Sequence, residues 1–132
     1  MPSETIYGYP VREPSESELE FFKSNSNTPG YAADDGSIVI NPYAKLTPEQ
    51  RKGLLMNEAS RLYMRENKLI PDFDVTPEQI TFFSKTPYAN NKEAMRQTIV
   101  GRILSNDQSV GRITPLQEQY ARWIYEQMRR RQ

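Results

Sequence analysis

The stretch Ser37-Ile38-Val39-Ile40-Asn41-Pro42-Tyr43-Ala44-Lys45-Leu46-Thr47-Pro48-Glu49-Gln50 puts a strand and a helix start side by side. Ile38, Val39 and Ile40 are three consecutive β-branched residues, which favour extended backbone and suit a strand covered on both faces. Thr47 then fits a helix N-cap, and Pro48 the first helical position, where its missing amide costs nothing. Gln50 stands three residues beyond the cap, where its side chain reaches back to the Thr47 amide. A strand handed directly to a capped helix predicts a mixed fold.

Working upstream, Tyr31-Ala32-Ala33 and Ser37–Asn41 flank Asp34-Asp35-Gly36, and Asp-Gly serves as a two-residue hairpin turn because both positions tolerate positive φ. A hairpin is therefore expected near 31–41. Alone it would be marginal in water, so helices must cover it. Downstream, the capping pattern recurs in Thr76-Pro77-Glu78-Gln79 and Thr114-Pro115-Leu116-Gln117. The spacings, 29 and 38 residues, are unequal and the segments that follow are dissimilar, so this is recurrent capping and not an internal repeat.

Each start opens an amphipathic segment. From Pro48 to about Glu66, Leu54, Leu55, Ala59, Leu62 and Tyr63 recur at helical spacing. A short helix over 77–84 uses Ile80 and Phe83, and one over about 91–105 aligns Met95, Ile99 and Ile103. The last, from 115 to about 130, aligns Leu116, Tyr120, Trp123, Ile124 and Met128 as an expected core stripe. Between them, Leu69, Ile70, Phe73 and Val75 should pin a connector. Ser15 and Glu18 form another capping box ahead of a helix over about 16–24, with Leu19 and Phe22 inward. The expected fold is mainly α, of the α+β class: about five helices with one small β-hairpin and an extended N-terminal arm. The arm is residues 1–14; residues 15–132 form a single helical domain.

Composition narrows the function. A chain of 132 residues suits one domain, and 36% hydrophobic residues with a mean hydropathy of −0.79 predict a thin core. Seventeen Lys and Arg balance seventeen Asp and Glu, so no global field selects nucleic acid or a membrane. The chain has no Cys and no His, which removes thiolate nucleophiles, zinc-thiolate sites and the commonest general base together. No catalytic residue, metal ligand or cofactor is assigned. No stretch has the roughly 18–20 apolar residues that span a bilayer, and MPSETIYGYP has neither the basic nor the apolar part of a signal peptide, so no membrane association is expected.

Charge is unevenly spread. Residues 1–36 carry Glu4, Glu13, Glu16, Glu18, Glu20, Asp34 and Asp35 against Arg12 and Lys23, whereas 94–132 carry seven Arg against Asp107, Glu118 and Glu126. The two ends should attract each other, or opposite ends of neighbouring copies. Within the Pro-punctuated arm, Ile6, Tyr7, Tyr9 and Val11 cannot bury themselves, so they are assigned to gripping a partner. Arg122, Arg129, Arg130 and Arg131, near Tyr120, Trp123 and Tyr125, mix cations with aromatics as single-strand binders do. Overall neutrality argues against nucleic acid, and the basic tail is assigned to a protein partner. Among carboxylates, Asp34 with Asp35 and Asp72 with Asp74 lack the D-x-D-x-D-G pattern of a Ca²⁺ loop. Glu58 with Asp72 or Asp74 would be the pair for glycosidic acid-base chemistry, set against a plain role for Glu58 in pairing with Arg61 or Arg65.

The run Ala33–Gln50, then Met56-Asn57-Glu58-Ala59-Ser60-Arg61-Leu62, Arg96-Gln97-Thr98-Ile99, Arg102-Ile103-Leu104-Ser105 and Thr114-Pro115, resembles small uncharacterised proteins of tailed bacteriophages over about 30–130. The resemblance implies a place in the virion, or in the host cytoplasm during assembly. Its partners would be other virion proteins or further copies of the chain. A fainter similarity links the strand Gly36–Asn41 and the helix bearing Asn57-Glu58-Ala59-Ser60-Arg61 to the active-site strand and helix of zincin-type metallopeptidases. There H-E-x-x-H occupies the helix; here Asn57 and Arg61 stand where both His would be, so that similarity implies a scaffold without its metal. The expected function is a non-enzymatic structural or protein-interaction component: capsid cement, or a neck or tail accessory. The alternatives are a regulatory binder of a host protein or nucleic acid through the Arg-rich helix, and a carboxylate-dependent hydrolase.

Overall fold

The computed structural model describes residues 4–131. Five helices and a small four-stranded sheet make a mainly helical α+β fold: β1 (Thr5–Ile6), β2 (Tyr9–Arg12), α1 (Glu16–Ser24), β3 (Gly30–Ala32), β4 (Ile38–Ile40), α2 (Pro48–Glu66), α3 (Pro77–Phe83), α4 (Lys92–Leu104) and α5 (Pro115–Arg129). The hairpin β3–β4 turns through Asp34, Asp35 and Gly36. Ala33 N donates to Ser37 O and Gly36 takes φ +85°, so the loop has three residues ending in a left-handed glycine, one more than the Asp-Gly pair implied.

The sheet order is β1-β2-β4-β3. β4 is interior, antiparallel to β3 and parallel to β2, and its Ile38 and Val39 are buried on opposite faces. Ile38 joins the main core, while Val39 packs with Phe22 of α1 and Ala33.

The described part of the N-terminal arm is not a free segment. Residues 4–12 fold as a hairpin through Tyr7 and Gly8, both at positive φ (51° and 81°), and β2 joins β4. Tyr9 is 2% exposed in the main core, and Ile6, Tyr7 and Val11 pack against that core. The proline-broken segment thus buries its apolar side chains on its own body, because the edge of β4 gives it a ladder that the segment alone lacks. The boundary at residue 14 separates no second unit among the described residues, and these four side chains are occupied internally. Residues 1–3 of the arm lie outside the described residues.

Three clamps hold the hairpin. Glu4 accepts two hydrogen bonds from Arg51 of α2 at 2.6 and 2.7 Å. Arg12 binds both oxygens of Glu18, which also accepts from the Ser15 amide and the Tyr31 hydroxyl. Arg131 lies 3.7 Å from the Tyr9 ring centroid, donates to Tyr7 O at 2.9 Å and pairs with Glu66 at 3.0 Å. The acidic start therefore pairs with Arg51 and Arg12, while the basic end meets it through a ring and a carbonyl. Arg131→Ala should lower stability by about 1 kcal/mol, the scale of an accessible cation–π contact. Hydrogen exchange should quicken at Tyr9 and Val11 before it quickens in α4.

Arg12, then the Ser15 amide and the Tyr31 hydroxyl, hold the Glu18 carboxyl well below the usual carboxylate range. A depressed folded-state pKa gives stability that is complete above the ordinary value of 4.5 and lost as pH falls through the folded one. Glu18→Gln should therefore lower the melting temperature at pH 7. It should also flatten its decline between about pH 5 and about pH 2, read by thermal melts across that range.

α2 is the central helix, touching β1, β3, β4, α4 and α5. It runs antiparallel to α4 at close range: a Cβ on Gly53 would sit 3.5 Å from Ser105 Cβ, and one on Gly101 would fall 1.8 Å from Asn57 Oδ1. One turn on, Arg61 Nη2 lies 3.4 Å from Thr98 Oγ1.

α5 is rotated from the expected stripe. Gln117, Ala121, Ile124 and Met128 are its buried residues, whereas Leu116 is 67% and Trp123 45% exposed. The cause is Gln117, fully buried against Gln79. Ile70 and Ile80 also face solvent more than their apolar character implied.

Candidate functional site

A cleft of about 890 Å³ opens between α2, the end of α4 and the turn before β3, with Asn57, Glu58, Arg61, Tyr88, Arg102 and Asp107 in its walls. The helix register builds it. Asn57 and Glu58 lie on one turn of α2 beside the glycine crossing and Arg61 on the next, while Arg102 projects from the last turn of α4 toward Asp107 just beyond it. Asp107 follows Asn106, a residue at φ +59° whose turn lets Asp107 N donate to Arg102 O at 2.8 Å.

Glu58 is 8% exposed. Its Oε1 is 3.4 Å from Arg61 Nε. Burial pushes its carboxyl above the ordinary value, opposed by the Arg61 charge, the Ala32 amide and Arg65. This sign is opposite to that of Glu18: the buried carboxylate costs stability as pH rises past 4.5. The Arg61 guanidinium also lies 6.0 Å from the Tyr88 ring centroid. Arg102 Nη1 donates to Asp107 Oδ2 and, at 3.3 Å, to Ser109 Oγ. Two buried polar atoms of this region, Asn57 Oδ1 and Arg102 Nε, have no hydrogen-bond partner.

Of the carboxylates considered for acid-base chemistry, Glu58 lines this cleft. Asp72 and Asp74 are not among its described wall residues, so the carboxylate pairing considered for glycosidic chemistry is not formed; the other acids there are Glu49 and Asp107. Among the described residues no group of three His, Cys, Asp or Glu could hold a metal ion, and no helix is long and apolar enough to cross a membrane.

The four tail arginines are not pooled into one free patch. Arg131 is spent on the N-terminal hairpin, Arg129 pairs with Glu126 and lies 5.7 Å from the Tyr125 ring centroid, and Arg122 pairs with Glu118 at 2.6 Å. Arg130 caps α5 at the surface. Such exposed pairs contribute little energy, but each sets an anion beside its cation.

A second feature was missed by periodicity alone. Leu116 and Trp123, two turns apart on α5, share an outward line, and the Trp123 ring lies 5.8 Å from Tyr120, which in turn meets Phe73 edge-on at 5.9 Å. The signal that could have found it is Gln117, whose place in a third Thr-Pro-x-Gln start aims it toward its counterpart Gln79.

Comparison with protein-family models, with curated proteins and with solved structures finds no match to this chain.

Proposed function

We propose that this protein is a non-enzymatic structural component of a tailed-phage virion or of its assembly, acting through protein contacts in the particle and in the host cytoplasm while particles are built. The observation that carries the reading is the outward line Leu116–Trp123 on α5, with Tyr120 behind it. Large apolar side chains set together on a surface mark interaction sites, and Trp is over-represented among residues that dominate binding energy. The resemblance of the 33–62 run to small tailed-phage proteins supplies the setting. The absence of imidazole and thiol from the chain is consistent with a role that performs no bond chemistry. The contact surface in this reading is α5 and not the N-terminal segment, whose apolar residues are used within the chain. Other virion proteins, or further copies of this one, are the partners.

The test is mass spectrometry of purified particles carrying either the unaltered chain or Leu116→Ser with Trp123→Ser. Both side chains are exposed, so the variant should keep its fold, and its copy number per particle should fall by about tenfold or more. Equal incorporation of the two chains, or the absence of the unaltered chain from particles, would sink the reading.

A further inference from the structure

We propose that the outward face of α5 in one copy docks in an aromatic groove beside α1 of the next, so that copies of this chain join head to tail. Naming a second copy as the partner rests on the contact role given to α5 above. The groove holds about 400 Å³ and is lined by Ser17, Glu18, Phe21, Thr28 and Tyr31. Its wall is mostly apolar: Phe21 is 45% exposed and meets both Phe22 and Tyr31 edge-on, at 5.6 and 5.9 Å. α5 offers the matching projection in Trp123, whose indole N–H needs an acceptor of the kind that the Ser17 and Thr28 hydroxyls supply.

Charge selects the occupant. On α1 and the segment leading into it, Glu13, Glu16 and Glu20 are exposed against the single exposed cation Lys23, and Glu13 and Glu16 have no basic partner among the described residues. Glu18, in the wall, is taken by Arg12. At the other end of the chain, Arg130 follows Trp123 by seven residues, as Trp123 follows Leu116, so the three share one line. Arg130 is paired with no carboxylate among the described residues. An apolar knob that carries an arginine suits an apolar hole set among carboxylates, and neither charge is matched within the chain. The two surfaces cannot meet in one molecule. Val39, on one face of β4, packs with Phe22 of α1, while Ile38, on the other, belongs to the core that takes Ile124 and Met128 of α5. Groove and knob therefore lie on opposite sides. Such a contact is heterologous, and each joined pair keeps an open groove at one end and an open knob at the other.

The experiment is sedimentation velocity of the full chain, of Trp123→Ser, of Ser17→Arg and of an equimolar mixture of the two variants. Both positions are exposed; circular dichroism melts check each fold, and Trp123→Gln or Ser17→Lys replaces a variant that melts early. Ser17→Arg fills the groove and sets a cation where α5 brings its own. The unaltered chain should pass from monomer to species larger than a dimer as its concentration rises, and each variant alone should stay monomeric. The mixture should stop at the dimer, because the groove of Trp123→Ser accepts the intact α5 of Ser17→Arg and the two surfaces left over are both disabled. An unaltered chain that is monomeric up to about 1 mM, one that stops at a dimer, or a mixture that fails to associate would overturn the proposal. Particle incorporation is read separately. A chain present in particles yet monomeric in solution sinks head-to-tail docking alone, whereas self-association of a chain absent from particles upholds the docking and sinks the virion reading.

Discussion

Gln117→Glu is expected to cost about 3–5 kcal/mol at pH 7, the range for leaving one charge buried without its partner. Gln79 and Gln117, both fully buried, form a closed amide pair: each Nε2 donates to the other's Oε1 at 2.8 Å. The second donor of each goes to a loop carbonyl, Gln79 to Arg112 O and Gln117 to Asp74 O. The second lone pair of each accepts from the amide of its own N-cap, Thr76 or Thr114. Every donor and acceptor of both side chains is used. In the variant, an anionic oxygen would face Gln79 Oε1 and Asp74 O with no proton between them.

The cost should depend on pH in a defined direction. Burial raises the folded-state pKa of the introduced carboxyl above its unfolded value near 4.3. Below that value it is protonated in both states, and its hydroxyl can still donate one bond. The penalty then grows by about 1.4 kcal/mol per pH unit until the folded pKa is reached. Urea unfolding followed by circular dichroism at pH 4 and pH 7 should give a variant near the parent at the lower pH and far below it at the higher. A deficit equal at both would count against the pair as the cause.

The second large effect belongs to the α2–α4 crossing. Gly101→Ala puts a methyl group 1.8 Å from Asn57 Oδ1 and 2.7 Å from its Cγ, so the Asn57 side chain must leave or the helices must part, at about 1–3 kcal/mol. Asn57→Ala removes an oxygen that has no partner and substitutes a better helix former, so it should be neutral or slightly stabilising. Combined, the two should restore most of the lost stability, because the new Cβ clears the Asn57 Cα by 3.4 Å. A coupling of about 1 kcal/mol or more in that double-mutant cycle is the expected reading. Strict additivity would mean that the helices do not meet here.

The helix starts were legible because each is a local matter: a Thr hydroxyl, a proline at the first position and a Gln three residues on act within one turn. Thr47, Thr76 and Thr114 cap helices in this way, and Ser15 with Glu18 closes the same box without a proline. The fate of the N-terminal segment was not legible, since Ile6, Tyr7, Tyr9 and Val11 read the same whether they seek a neighbour's groove or the edge of β4. That choice depends on a parallel pairing across 27 residues, Val11 with Ile38, which no local pattern encodes. The orientation of α5 was misread for a related reason. Hydropathy ranks Leu116 and Trp123 above Gln117, yet a glutamine whose four hydrogen bonds are all met can lie inside while a tryptophan lies out. Of the cleft, Glu58 was singled out by its place in an apolar run. Its neighbours Arg102 and Asp107 come from a helix end 44 residues or more away and could not be placed beside it.

The manner in which the sheet terminates limits how this molecule can meet others. On one flank β1 is two residues long, with Glu4 tied down by Arg51; on the other, α2 lies along β3 and Glu58 attends to the Ala32 amide. A visiting strand finds no extended row of open amides and carbonyls on either flank of the described residues. Recognition by backbone zippering is thereby closed off, and contact with another chain is left to side chains, whose shape and chemistry can be selective where a bare ladder cannot.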